Sequence, residues 1–370
     1  TKNQLYKEVV EETLAFIERE LMNDNGAFYS SLDADSLDKN GHLEEGTFYV
    51  WTKKELKIIL DHDYQLFKDY YNINSYGFWE KENYVLIRNK TDLVVAQKYN
   101  LSLDEIKVKV KNWKKSLLKE RSKKERPRLD DKTLTSWNAL MLKGYVDAYR
   151  VFEDEHYLEI ALKNAHFLIN NQLREDGGLN HNYKDNRSTI NGYLEDYATV
   201  IDAFISLYEV TLDEKWLYTS KQLADYSFDH FYDDKSHLFF FTSDEDTGLI
   251  ARKMEIHDNV IPASNSIMAR NLLKLGHYYS NTHYAKTSIE MLNNVKADIV
   301  KYPTSYSNWL QLMSDNVGEY YEVAISGKGA HKKLKEFNQH YIPNKLIALL
   351  AVSTLGLKIE SNILPYLFIL

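Results

Sequence analysis

The chain has no cysteine in 370 residues, which excludes disulfides, thiolate metal sites and thiol nucleophiles together. Proline is scarce, with 5 residues, and glycine little commoner, with 14. These residues punctuate turns and strand-rich folds use many of them, so long irregular stretches are disfavoured and helix is the expected class. Long apolar runs are missing too: the tail Ile363–Leu370 is far too short to span a bilayer, and the amino end is charged throughout as far as Arg19. No membrane partner is expected. With no leader-like segment, the expected location is cytoplasmic.

What is present fits a globular chain with a sizeable core, at 44% apolar and 27% charged residues. The formal charge of −8 conceals a basic block, Lys107–Arg128, with eleven Lys or Arg against Glu120 and Glu125. Val108, Val110, Trp113, Leu117 and Leu118 give that block the apolar stripe of an amphipathic helix. It reads as a solvated helix face, and no nucleic-acid partner is expected. The 28 tyrosines offer rings with hydroxyls, as a wet, aromatic-lined cavity would use them.

Helical periodicity is clearest from Trp137, where positions 137, 140, 141, 144, 145, 148, 149 and 152 share one face. A turn at Glu153-Asp154 leads to a second helix through Tyr157, Ala161, Ala165 and Leu168. The same hairpin recurs at Tyr197–Val210 with Trp216–Phe228, and at Asn265–Tyr279 with Tyr284–Val295. Asp154, Asp213 and Asn281 align, each three residues before an aromatic, at spacings of 59 and 68 residues. Three copies indicate a repeat of helix pairs. Thr52-x-x-Glu55 and Ser102-x-x-Glu105 fit capping boxes and start two further helices. Near the end, Tyr320–Ile325, His331–His340 and Leu346–Val352 read as strand, helix and strand.

In such arrays the inner helices converge, and their amino ends line a funnel. Ser136-Trp137-Asn138, Glu195-Asp196-Tyr197 and Ser264-Asn265-Ser266 stand at those starts, with Asp130, Asp131 and Lys132 upstream of the first and His257 and Asp258 upstream of the third. Acid/base work on a glycosidic bond or a sugar carbon needs paired carboxylates in different environments. Asp130, Asp131 and Asp196 are the candidate catalytic groups. Trp51, Trp137 and Tyr197 are candidate stacking surfaces, and Asp33, Asp35, Tyr49, Lys132, Asn138, Glu195, His257, Asp258, Ser264 and Asn265 complete the candidate substrate-binding set. Of the histidines, only His181 and His257 fall in the interhelical loops. No metal site is expected: Asp33, Asp35 and Glu44 match EF-hand positions 1, 3 and 12, but Leu37 and Asp38 stand where an oxygen ligand and a glycine belong. No cofactor motif is recognised, and Gly327-Lys328-Gly329 is too short for a phosphate loop.

The segments Phe28–Ser36 (FYSSLDADS), Glu44–Thr52 (EEGTFYVWT), Pro127–Asn138 (PRLDDKTLTSWN), Gly192–Ala198 (GYLEDYA), Pro262–Ser266 (PASNS) and Pro343-Asn344-Lys345 resemble, in order, motifs of the thioredoxin-domain-containing YyaL-type family, that of spermatogenesis-associated protein 20. The resemblance spans nearly the whole chain. It implies an (α/α)6 toroid of the six-hairpin glycosidase superfamily, related in fold to N-acylglucosamine and cellobiose 2-epimerases and to glucuronyl hydrolases. It further implies a parent protein with a thioredoxin-like domain, a partner outside this chain, and a toroid whose first hairpins precede residue 1. The missing cysteines then reflect which part of the parent this is. No histidine occupies the inner-helix starts, so the epimerases' histidine pair is not carried over.

The expected fold is therefore all-α, a toroid of helical hairpins over residues 1–318 with short β-hairpins in its loops, followed by a β-α-β appendage over 319–370. The expected function is acid/base chemistry on a small saccharide, as a glycoside hydrolase or 2-epimerase-like enzyme. The alternative is a non-catalytic binding or scaffold module working with a thioredoxin-like domain.

Overall fold

In a computed structural model the described residues are 2–248, 250–350 and 367–369. The chain forms two compact units: Ser31–Asp130 is one, and Thr1–Ser30 with Asp131–Leu370 the other. The division thus differs from the expected boundary at residue 318.

Helix α1 (Gln4–Glu20) opens the larger unit, capped by Asn3, whose side chain accepts the Leu5 amide. The inserted unit follows. Its helices α2 (Lys53–Leu60), α3 (Tyr64–Tyr70), α4 (Asp92–Tyr99) and α5 (Leu103–Arg121) enclose a core of Leu56, Phe67, Tyr70, Ile106 and Trp113. Both predicted capping boxes form, at Thr52 with Glu55 and at Ser102 with Glu105. The basic block lies on α5 as far as Arg121, with Ile106, Trp113 and Leu117 buried on the helix's inner face, and its last four basic residues follow the helix. The unit's entering and leaving strands pair antiparallel, Ser31 opposite Asp130 and Leu32 opposite Leu129.

The larger unit resumes as alternating inner and outer helices. α6 (Thr135–Phe152), α8 (Leu194–Thr211) and α10 (Ser264–Tyr278) pack side by side, and α7 (Glu155–Phe167), α9 (Lys215–Phe231) and α11 (Thr282–Lys301) lie behind them. α1 packs against the first hairpin, where Tyr145 donates to Glu18 Oε1 (3.1 Å), and α12 (Ser307–Val317) joins α10 and α11 at the far end. The repeat read from the sequence is therefore real. Its turns share one device, a residue in the left-handed region (Glu153, Leu212, Ser280) followed by Asp154, Asp213 or Asn281, whose carboxylate or amide oxygen caps the outer helix.

A three-stranded parallel sheet closes the described chain: Tyr321–Ser326 pairs with Lys345–Leu350 on one side and with Leu367–Ile369 on the other, and α13 (Ala330–Asn338) lies between the first two strands in sequence. Residues 351–352 of the expected second strand lie outside the described residues. The segment stays with the larger unit because Leu212 shares a cluster with Val323, Ile325, Leu334 and Ile347. The Tyr278 hydroxyl also donates to the Ile347 carbonyl (3.0 Å).

Many of the tyrosines serve the core. Tyr70, Tyr145, Tyr197 and Tyr284 are almost wholly buried, and their hydroxyls bond Asp92, Glu18, the Leu179 amide and Asp225. A buried ring with a satisfied hydroxyl fills a core without an orphaned polar group. The expectation of a cavity lined by these side chains is corrected accordingly.

Candidate active site

Each inner helix begins by gripping the loop before it. Asn138 accepts the Phe28 amide (2.8 Å) and donates to the Phe28 carbonyl (3.0 Å). Asn265 does the same to Phe239, at 2.8 and 2.9 Å, and the Tyr197 hydroxyl accepts the Leu179 amide (2.8 Å). These contacts fix the repeat register: Asn138, Tyr197 and Asn265 are equivalent, and so are Phe28, Leu179 and Phe239. The third helix start is thus Ala263-Ser264-Asn265, one residue earlier than the alignment expected from sequence.

The register also places a histidine. Two residues beyond each gripped position stand Ser30, His181 and Phe241. The Thr135 amide donates to the His181 carbonyl (2.9 Å) as the Leu194 amide does to that of Phe241 (2.8 Å). An antiparallel pair, Thr133 opposite Tyr183 and Leu134 opposite Asn182, ties this loop to the start of α6. Gly192 closes the loop, its amide donating to the Leu179 carbonyl (2.8 Å). A Cβ there would lie 2.6 Å from that oxygen, so only glycine permits the approach.

His181 thereby meets the first turn of α8. Its Nδ1 lies 2.9 Å from Asp196 Oδ2, and polar atoms of His181, Glu195 and Asp196 all lie within 4.8 Å of one another. Asp196 is fully buried. It accepts the Ser136 amide (2.8 Å) and the Tyr193 amide (2.9 Å) as well as the imidazole. Burial pushes its carboxyl up, while His181 and the two amides favour the charged form. With the carboxylate ionised, Nδ1 carries the proton, and Nε2 has no hydrogen bond among the described residues. Burial opposes the imidazolium, but the hydrogen bond and charge of Asp196 prevail and raise the His181 pKa. Glu195 is pushed up to about 7, first by burial and then by the negative charge of Asp196. The cluster has metal-ligand residue types. Nδ1 and Asp196 Oδ2 are hydrogen-bonded to each other.

The other expected site residues divide between the units. In the inserted unit, Asp33 binds Arg128 (3.0 Å), Asp35 stands opposite Glu45 and Asp130 opposite Ser31 in strand pairs, and Tyr49 packs edge-on to Phe48. Trp51 is buried beneath the Lys124 ammonium at 4.3 Å, so its indole is a core element of that unit rather than a stacking face. In the larger unit, Lys184 holds the half-exposed Asp131 carboxyl below the usual range. A carboxylate so stabilised is a poor proton carrier near neutrality. Of the expected acid/base set Asp130, Asp131 and Asp196, only Asp196 belongs to the cluster with His181 and Glu195. Asn138, Tyr197 and Asn265 are structural grips. Asp258 ties α10 to α12 by accepting the Ala263 and Asn308 amides (2.9 and 2.8 Å), Lys132 accepts the Ser30 amide at its carbonyl, and the exposed His257 lies edge-on to Tyr306. Trp137 is 47% exposed, next to Ser136, whose amide and hydroxyl reach Asp196 and Glu195. Ser264 remains at its helix start, its amide on Glu255 Oε2 (3.0 Å).

One consequence is measurable in stability. Between its ordinary pKa near 4.5 and the folded value of about 7, Glu195 keeps in the folded state a proton that the unfolded chain releases. Its contribution therefore weakens as pH rises through that window. Urea unfolding of Glu195→Gln against wild type from pH 4 to 8 is expected to show a flatter decline in the variant; parallel curves would contradict the raised value.

No protein-family model matches the chain. Spermatogenesis-associated protein 20 of Homo sapiens is 26% identical over 382 aligned residues, covering 94% of this chain and 48% of that protein. The Mus musculus protein of the same name matches equally. An uncharacterized protein of Caenorhabditis elegans is 26% identical over 83% of this chain and 46% of its own length. Among solved structures, a GH76 alpha-mannanase of Bacteroides thetaiotaomicron aligns with 90% of this chain and 82% of its own at 14% identity and a TM-score of 0.43. Cellobiose 2-epimerase of Bacillus thermoamylovorans aligns with 78% and 71%, at 14% identity and a TM-score of 0.39. The chain spans about half the length of the curated relatives it matches, and over that span it is similar to spermatogenesis-associated protein 20.

Proposed function

We propose that the larger unit catalyses proton transfer at a sugar carbon next to a carbonyl, as in 2-epimerisation or aldose–ketose isomerisation. The observation that carries this reading is an imidazole oriented by buried Asp196 within 4.8 Å of a carboxyl tuned to about 7. Two groups that both exchange protons near neutrality suit removal of a carbon-bound proton by one and protonation of the carbonyl oxygen by the other. His181 Nε2 takes the C2 proton. The electron pair left behind forms the enediol as Glu195 protonates the oxygen, and reversal returns a proton to carbon.

Glycoside hydrolysis is favoured less. It needs a second carboxylate free to face the sugar, and Asp196 is spent on three donors. The half-exposed indole of Trp137 offers a face for the ring, and the Tyr193 ring packs 4.6 Å from the imidazole, fixing its tilt.

The test is incubation with neutral reducing hexoses in D2O, following the C2 proton by NMR. Deuterium is expected at C2, with exchange lowered about 10²- to 10⁴-fold in Glu195→Gln. Cleavage of oligosaccharides without exchange would favour the hydrolase reading instead, and sugar binding with neither reaction would favour the binding module.

A further inference from the structure

The inserted unit carries a groove of about 690 Å³ that the proton transfer just described does not use. Helix α2 contributes Lys53, Lys54, Lys57 and Ile58 to its lining, and the segment after α3 contributes Phe78, Glu82 and Tyr84. The apolar part is built, not loose. Tyr84 pairs with Trp51 in an antiparallel ladder and bridges to Phe78, whose ring stands edge-on to that of Tyr84 at 5.7 Å. The Gly77 carbonyl accepts the Val85 amide and the Trp79 amide donates to the Asn83 carbonyl, both at 2.9 Å. A Cβ at Gly77 would collide with the Asn72 carbonyl, so this turn is fixed and keeps Phe78 half-exposed, while Ile58 on α2 is 73% exposed. Large apolar side chains held together in solvent mark a contact surface.

The charge around them is one-sided. The Lys53 ammonium lies 4.9 Å from the centre of the Tyr84 ring and that of Lys57 5.6 Å from the Tyr64 ring. Aromatic faces order these two cations without neutralising them, and among the described residues neither they nor Lys54 have an ion pair. Nearby carboxylates are engaged elsewhere: Glu55 holds the Thr52 amide (2.9 Å) and Lys39 (3.1 Å), and Glu44 holds Lys81. Glu82 is the one carboxylate among the lining residues, against three ammoniums.

We infer that this groove docks an acidic peptide segment, one with carboxylates at alternate positions followed by an apolar side chain. Lys53 and Lys57 are one helical turn apart, about 6 Å along α2, and alternate side chains of an extended peptide are about 6.5 Å apart. The apolar side chain then covers Ile58 and Phe78. Glu82 favours a peptide over a nucleic acid or an anionic membrane, because a peptide amide can donate to it whereas a row of phosphates meets like charge there.

The experiment titrates the full chain with a fluorescently labelled peptide bearing alternate glutamates and a phenylalanine, followed by anisotropy. A glutamine counterpart, a lysine counterpart, phosphatidylserine vesicles and a single-stranded RNA are the comparisons. The glutamate peptide is expected to bind, more weakly as salt rises, and about three- to tenfold more weakly to Lys53→Gln/Lys57→Gln. Ile58→Ser should weaken it without changing the salt dependence. Lys53→Glu/Lys57→Glu should lose the glutamate peptide and gain the lysine one, a gain that a misfolded variant does not produce; urea unfolding confirms that these solvent-facing changes leave the fold intact. Binding of the glutamine peptide as tight as that of the glutamate peptide, an unchanged affinity in the lysine variants, or no binding by wild type overturns the inference. Vesicles or RNA bound at this groove in place of the peptide overturn it too, and reassign the surface.

Discussion

Asp196→Ala is expected to lower stability by about 3–5 kcal/mol and to abolish C2 exchange. The change leaves two buried amides and an imidazole without their acceptor in a fully enclosed place, and an unsatisfied buried partner carries its full desolvation cost. Because such a variant can fail to fold, Asp196→Asn is the sharper probe. An amide of the same shape accepts through one oxygen only and holds no charge against His181. Exchange is expected to fall about 10²- to 10⁴-fold, and the limb of its pH profile that reports the imidazole should move to lower pH as the raised His181 pKa relaxes. A purely structural aspartate would reduce folded protein without moving that limb. Urea unfolding followed by pH-resolved exchange separates the two, and an unmoved profile would remove Asp196 from its positioning role.

The second large effect lies at Asn138→Ala, where one buried side chain serves four partners: the Phe28 amide and carbonyl, the Leu134 carbonyl and Asn164 Nδ2. A loss of about 3 kcal/mol is expected by urea unfolding. Asn138→Asp should cost at least as much, since a carboxylate would face two carbonyl oxygens with nothing to donate. Asn265→Ala, at the equivalent position, should resemble Asn138→Ala. A loss below about 0.5 kcal/mol at both positions would show that the grips are incidental.

The helical hairpins were legible because their apolar spacing and their caps agree, as at Asp154, Asp213 and Asn281, where local chemistry alone dictates the turn. The inserted unit was not. Nothing in the composition near Ser31 or Asp130 marks a boundary, which exists only because two distant strands pair. The site was half legible. Its helix starts were found and Glu195 and Asp196 named, but Asp131 was preferred to Glu195. What decides between them is the Lys184 partner 53 residues away and the burial of the α8 start, neither of which a local pattern carries. His181 is recognised in the sequence as one of two interhelical-loop histidines but is absent from the candidate site set. The signal that finds it is the third-order register, two residues past Leu179 as Phe241 lies past Phe239, and that register emerges only once the Asn138, Tyr197 and Asn265 grips are seen.

The paired strands at the edge of the inserted unit also bear on how this chain can change over evolutionary time. Ser31 and Asp130 stand opposite each other, and one step outward Ser30 donates to the Lys132 carbonyl (2.8 Å). The two crossing points are therefore neighbours, and a short reverse turn could join them in place of the hundred residues between. Such a doorway lets a whole module be gained, exchanged or lost while the grip of Asn138 on Phe28 keeps the surrounding helices in place.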